Sequence, residues 1–162
     1  MLKKISNIFL ITGLIILIII ELSYKFQIHQ NSKIIENIKL HGEIINYYVG
    51  YIKINDLKVN VPLVYGTSKK ELDQNIVGVS NYSDSKHLIL AGHAIKSVFL
   101  PLYNIKKQTE IEILLNDNYY KYIVDNVYIV KENDISVYRN TGLTLITCIN
   151  KKQRLIVNAK TT

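Results

Sequence analysis

Apolar residues recur at alternate positions through most of the chain from Tyr47 to Lys160. A period of two, in short runs punctuated by turn residues, commits this stretch to β-strands with one buried face. Val49, Tyr51, Ile52 and Ile54 open a first strand, and Leu57, Val59, Val61 and Leu63 alternate with Lys58, Asn60 and Pro62 in a second. An edge or bulge is expected at the proline, which has no N–H to give a ladder. Beyond Gly66, Ser68 and Glu71 form a Ser-x-x-Glu capping box that predicts a short helix to about Asn75. Leu88-Ile89-Leu90-Ala91 reads as a buried strand that ends at His93, and Ser97 to Asn104 as a helical turn or two broken near Pro101. Ile111, Ile113 and Leu115, the turn residues Asn116-Asp117-Asn118, and then Tyr120, Tyr122 and Val124 predict a hairpin whose second arm reaches about Val130. Leu143 to Ile149 and Arg154 to Lys160 supply the last strands. Seven or eight short strands with little helix make residues 47–162 a mainly β domain, either a sandwich or a small closed barrel.

Upstream the pattern is different. Lys3 and Lys4 precede a nearly unbroken apolar run from Ile8 to Ile20, extended by Ile5 and Leu22. That approaches the ~20 residues needed to cross a hydrocarbon core. No Ala-x-Ala-like site follows in Glu21-Leu22-Ser23-Tyr24-Lys25-Phe26, so residues 1–22 read as an uncleaved transmembrane signal anchor. The positive-inside rule puts Lys3 and Lys4 in the cytoplasm and the rest of the chain outside. Residues 23–46 are polar, with Ile34, Ile35, Ile38 and Leu40 at near-helical spacing, and read as an extracellular stalk or a short N-terminal helix. His29 and His41 in this segment read as solvated side chains.

The net charge of +7 favours an anionic neighbourhood such as a phospholipid surface. Nucleic acid is not expected, because the lysines are scattered and no run of five or more basic residues appears. Arginine is used only at 139 and 154, in a chain that otherwise chooses lysine. Arg139 reads as a loop residue. Arg154 stands close to the single cysteine, Cys148, and only Asn150 to Gln153 join the two last strands. An antiparallel hairpin there brings Cys148 and Arg154 together across the turn.

A lone cysteine has no internal disulfide partner, and in an exported domain its presence needs another reason. A free thiol ionises near pH 8.5, so as a nucleophile it needs a neighbouring base or cation. His93, after Gly92 at a strand end, is such a neighbour; His87 begins the same strand and reads as partly exposed and structural. Cys148, His93 and Arg154 together form a candidate constellation for thiol acyl transfer.

Thr144-Leu145-Ile146-Thr147-Cys148 with Arg154 at the start of the final strand, and Leu90-Ala91-Gly92-His93 upstream, resemble the sortase family of cell-wall transpeptidases. Gly50-Tyr51-Ile52-Lys53-Ile54, Val61-Pro62-Leu63-Val64 and Gly66-Thr67-Ser68 match in the same order, so the similarity runs from about Tyr47 to Lys160. The resemblance implies an eight-stranded closed β-barrel with one or two short helices behind a transmembrane helix. It implies cleavage of an L-P-x-T-G-like C-terminal sorting signal on surface proteins, through a thioacyl intermediate at Cys148. Transfer then goes to an amine of peptidoglycan or its lipid-linked precursor. By the same resemblance His93 is the general acid and base, Arg154 bonds the oxyanion or substrate backbone, and Thr147, Ala91 and Gly92 contact substrate. No cofactor is implied.

With no second apolar span, no aromatic Asp-Pro lid motif and only a short stretch from Lys131 to Gly142, the chain looks class A-like or D-like rather than B or C. Glu132 and Asp134 lack acidic partners in Ser97 to Asn104, so no calcium site is expected, and the loop Ile149 to Gln153 is short for the family. The residues alone leave two other readings open: a secreted cysteine protease that hydrolyses peptides, and a non-catalytic barrel displayed at the membrane.

Overall fold

The computed structural model describes residues 2–41, 47–81, 83, 84, 86–139 and 141–162. Its eight strands are β1 (Gly50–Ile54), β2 (Val59–Tyr65), β3 (Val77–Val79), β4 (His87–Gly92), β5 (Glu110–Leu115), β6 (Asn118–Lys131), β7 (Gly142–Asn150) and β8 (Gln153–Thr161). They close into a barrel in the order β1-β2-β3-β4-β7-β8-β6-β5. The barrel thus replaces the sandwich that alternation alone left open. Two of the pairings, β2 with β3 and β4 with β7, are parallel, so each needs a crossover over the outside of the barrel. The C-terminal ends of β1, β4, β6 and β7 and the starts of β2, β3, β5 and β8 gather at one rim, the upper rim below.

Ile52, Ile54, Val61, Leu63, Leu90, Ile111, Ile113, Leu145 and Val157 fill the interior, all essentially without solvent contact. Parity then decides what faces out. Leu145 points inward, so its neighbours Thr144 and Ile146 and the more distant Cys148 belong to the outer face. The β5–β6 hairpin turns on Asn116 and Asp117, both left-handed at φ +48° and +62°, the geometry of a tight type I′ turn. Pro62 sits one residue before β3 begins to pair with β2 at Leu63, so its missing N–H costs that ladder nothing.

The capping box is present: the Glu71 carboxylate accepts from the Ser68 backbone N–H at 3.1 Å. Helix α2 is nevertheless a single turn, Lys69–Leu72, shorter than the reading to Asn75. Asn75 itself turns left-handed, at φ +58°, to enter β3. Pro101 does not break a helix; it lies in the first turn of a 3-10 helix, Leu100–Asn104, where a missing N–H loses no internal bond. The strand that alternation missed is β3, three residues long and buried on both faces, so no period can be read from it.

Upstream, one 40-residue helix, α1 (Leu2–His41), runs through both the apolar run and the polar segment after it. Nothing between Ser23 and His41 interrupts it, since that stretch holds neither glycine nor proline. Residues 42–46, the end of the expected stalk, lie outside the described residues. The C-terminal half of α1 packs on the barrel, with Ile35 and Ile38 buried against Tyr51 and flanked by Tyr48 and Leu114. Nearer the membrane-like run, Gln27 accepts a bond from Asn75 at 3.3 Å, beside the start of β3. The Asn7–Leu40 part of α1 contains a stretch apolar enough to cross a membrane, and its side chains from Ile8 to Ile20 touch little else in the chain.

Candidate active site

Three neighbouring strands at the upper rim carry the candidate residues. In the parallel pair β4 and β7 the register ends with Ala91 opposite Ile146, and two steps further along both strands stand His93 and Cys148. On the other side of β7, Cys148 is the register partner of Arg154. The three residues therefore lie abreast, and strand parity puts them on the outer face. They open into one cleft of about 260 Å³ together with Ala91, Gly92, Ile146 and Thr147. Thr67 and Leu72 from the β2–β3 connection, Ser80 just after β3 and Tyr138 from the β6–β7 connection form its walls. A larger depression of about 810 Å³ lies beside it between the end of β6 and the β7–β8 hairpin. That depression holds Lys131, Glu132 and the hairpin residues but not the cysteine, so the smaller cleft is the candidate site.

One hydrogen bond ties the two halves of the site. Thr147, only 1% exposed, donates its hydroxyl to the Gly92 carbonyl at 2.8 Å, joining the residue before Cys148 to the residue before His93. Thr147 lines the cleft, with its hydroxyl engaged by this internal bond. Gly92 has no room for a side chain, since a Cβ there would lie 2.8 Å from the Phe99 ring and 2.9 Å from Val98. Ala91 and Gly92 both line the cleft.

The Cys148 thiol is exposed, at the start of a register irregularity between Cys148 and Asn150. Its carbonyl accepts a 2.6 Å bond from the Tyr103 hydroxyl, which reaches over from the 3-10 helix. His93 has an acidic neighbour: Asp73, just after α2, holds a carboxylate oxygen 3.5 Å from its Nε2. Its own carbonyl accepts from Ile95 at 2.9 Å and Phe99 at 3.2 Å, so the loop that follows is tightly wound. Arg154 is turned toward the hairpin: Nη1 donates to the carbonyls of Asn150 and Gln153 at 3.2 Å each, and Nη2 lies 3.9 Å from Glu132. A guanidinium has five donors, so Nε and part of Nη2 remain for a ligand. Sequence reasoning did not find Asp73 or Tyr103, because a crossover and a loop bring them in from positions with no local signature.

His87 differs from the expectation of partial exposure. It is 4% exposed at the far end of β4, with Nε2 at 2.8 Å from Thr144 Oγ1. Thr144 in turn bonds Asn158, and Asn158 bonds Tyr128, in a polar row across β7, β8 and β6. Burial pushes the His87 pKa down, opposed by the Tyr138 carbonyl and Asp84. No cluster of His, Cys, Asp and Glu suited to a metal ion occurs among the described residues. His29 is exposed on α1.

The sortase domain family model matches residues 52–162. Sortase A of Streptococcus agalactiae is 28% identical over 129 residues, covering 69% of this chain and 52% of that protein. Sortase A of Listeria monocytogenes is 30% identical over 114 residues, covering 62% of this chain and 49% of that protein. The chain thus spans about half the length of the curated relatives it matches. Among solved structures, Listeria monocytogenes sortase A aligns with a TM-score of 0.65 at 25% identity, over 72% of this chain and 88% of that one. A Clostridium perfringens sortase D5 transpeptidase gives a TM-score of 0.65 at 22% identity, over 85% and 97%, a likeness of fold alone. Sortase C-1 of Actinomyces oris also reaches a TM-score of 0.65, so the backbone does not separate the classes, while the sortase A names of the sequence relatives are consistent with a class A-like chain. From the match over most of its length and the closed barrel beneath it, the chain belongs to the sortase family.

Proposed function

We propose that the protein is a membrane-anchored cysteine transpeptidase that cleaves an L-P-x-T-G-like sorting signal and transfers the protein bearing it to an amine. The observation that carries this reading is the row of His93, Cys148 and Arg154 abreast on β4, β7 and β8, opening into one cleft. The thiolate of Cys148 attacks the carbonyl of the Thr-Gly bond, and the carbonyl π electrons move onto oxygen. Arg154 gives the oxyanion a charged donor, where developing charge makes a donor most valuable. As the C–N bond breaks, the His93 imidazolium passes its proton to the departing glycine amine, and a thioester to Cys148 remains. The incoming amine attacks that thioester, loses a proton to His93, and the thiolate leaves to restore the starting state. The Asp73 carboxylate beside Nε2 orients the imidazole through the cycle.

The natural partners in this reading are surface proteins with a C-terminal sorting signal and an amine of peptidoglycan or its lipid-linked precursor. Lys3 and Lys4 lie in the cytoplasm, the apolar run extended from Ile5 to Leu22 crosses the membrane and the barrel is extracellular. The full chain, incubated with a panel of L-P-x-T-G-type peptides and an amine, forms a thioacyl adduct at Cys148 that mass spectrometry detects, and aminolysis product exceeds hydrolysis product. No adduct with any peptide sinks the proposal. Adduct that partitions only to water makes the protein a protease.

A further inference from the structure

The position of α1 bears on where the cleft sits relative to the bilayer. Three contacts fasten its outer half to the barrel. Lys96, three residues after His93, pairs with Glu21 at 3.2 Å and stacks over the Tyr24 ring at 4.1 Å. Gln27 bonds Asn75 near the start of β3. Ile35 and Ile38 bury against Tyr51, and Leu114, toward the lower rim, packs on the same cluster. The helix therefore lies along the barrel wall with its N-terminal side at the upper rim, the rim that carries Cys148 and His93.

A hydrocarbon core of about 30 Å takes roughly 20 helical residues, which from Ile5 ends near Tyr24. Glu21 and Tyr24 then mark the outer boundary of the core, and Lys96 is held there. Tyrosine favours that depth, and Glu21 near the apolar layer is poorly tolerated without a cation beside it. His93 is three residues from Lys96, a reach of at most about 10 Å even fully extended. The loops and strand ends of the upper rim add charge: Lys58, Lys96, Lys106, Lys107, Lys131, Lys151 and Lys152 are all exposed, and outnumber the acidic Asp56, Asp73, Glu110, Glu132 and Asp134 there. Basic side chains near an anionic leaflet each add favourable energy within a Debye length of it.

We propose that α1 is a rigid strut that seats the upper rim, with its cleft, on the head groups of an anionic bilayer. The proposal rests on the anchor described under Proposed function. It makes the catalytic cleft accessible from the plane of the membrane, so that substrates held in the same leaflet reach Cys148 without leaving it. The barrel stands on its active end.

Fluorophores on single introduced cysteines test this in the full chain carrying Cys148→Ser, reconstituted in phosphatidylglycerol vesicles. The sites are Ile15→Cys in the apolar run, Ser97→Cys beside Lys96, and Thr162→Cys at the lower rim. Acyl-chain nitroxide lipids quench the label at position 15. Head-group nitroxide lipids quench the label at 97 several-fold more than that at 162. Glu21→Lys, which sets like charges against Lys96, reduces quenching at 97 and leaves position 15 unchanged. Equal head-group quenching at 97 and 162, with position 15 deep in the bilayer, overturns the docking and leaves the anchor standing. A label at 15 that acyl-chain lipids fail to quench overturns the anchor itself and the docking with it. Quenching at 97 that is undiminished in phosphatidylcholine overturns the role given to the lysines.

Discussion

Arg154 and Thr147 flank Cys148 in different ways, and substitutions separate their contributions. Arg154→Lys keeps the charge but loses the planar fork. It should lower aminolysis turnover by about two to three orders of magnitude, in line with about 2.7–4 kcal/mol for a lost oxyanion donor, while leaving the melting temperature nearly unchanged. Turnover near that of the parent would return Arg154 to its bonds with Asn150 and Gln153 as its whole role. Thr147→Val preserves shape but removes the hydroxyl's bond to the Gly92 carbonyl, at a cost of about 0.5–1.5 kcal/mol in urea unfolding. Because that bond joins the residues preceding both Cys148 and His93, thioacyl formation should fall as well. Tyr103→Phe leaves the ring and removes the donor to the Cys148 carbonyl; we expect roughly 0.5–1.5 kcal/mol lost and a slower acylation step, measured by rapid quench.

At the scale of elements, the polar row begun by His87 ties the far ends of β4, β7 and β8 and gives the barrel a pH response. Its folded pKa lies below the ordinary 6.5, so the unfolded chain binds the proton first as acid is added. The stability it contributes is complete above about pH 6.5 and declines as pH falls toward the folded value. Asp84, whose carboxyl is held below its ordinary value by the backbone N–H groups of Lys86 and His87, loses its contribution only in the more acid range under 3.8. Urea midpoints between pH 7.5 and 5 should therefore drop in the parent and flatten in His87→Gln. The same stretch shows why the sequence was legible in part. Alternation revealed the strands with one wet face, and the short link between β7 and β8 revealed the Cys148 and Arg154 pair. Neither β3, buried throughout, nor the parallel pairing of β4 with β7 leaves a local trace, so the adjacency of His93 and Cys148 came only from resemblance until the register was seen. His87 misled for a related reason. A histidine at a strand's first residue looks exposed until a crossover covers it.

Over the whole molecule, the continuous α1 and the closed barrel form one packed unit. Ile35→Ala should cost about 2–5 kcal/mol if the docked helix packs like core. Hydrogen exchange would report the loss as faster exchange in residues 23–41 with the strands of the barrel still protected; loss of protection in both would mean that helix and barrel unfold together. Closure of the barrel has a further consequence for how a peptide is read. A sheet closed strand to strand offers an extended guest only short unpaired stretches, residues 59–62 on the β3 side of β2 and the end of β7 beyond its pairing with β4, so added-strand pairing is confined to a few residues. Discrimination must then rest mainly on side-chain pockets and loop amides on the outer wall, and neighbouring copies have little strand edge by which to pair with one another.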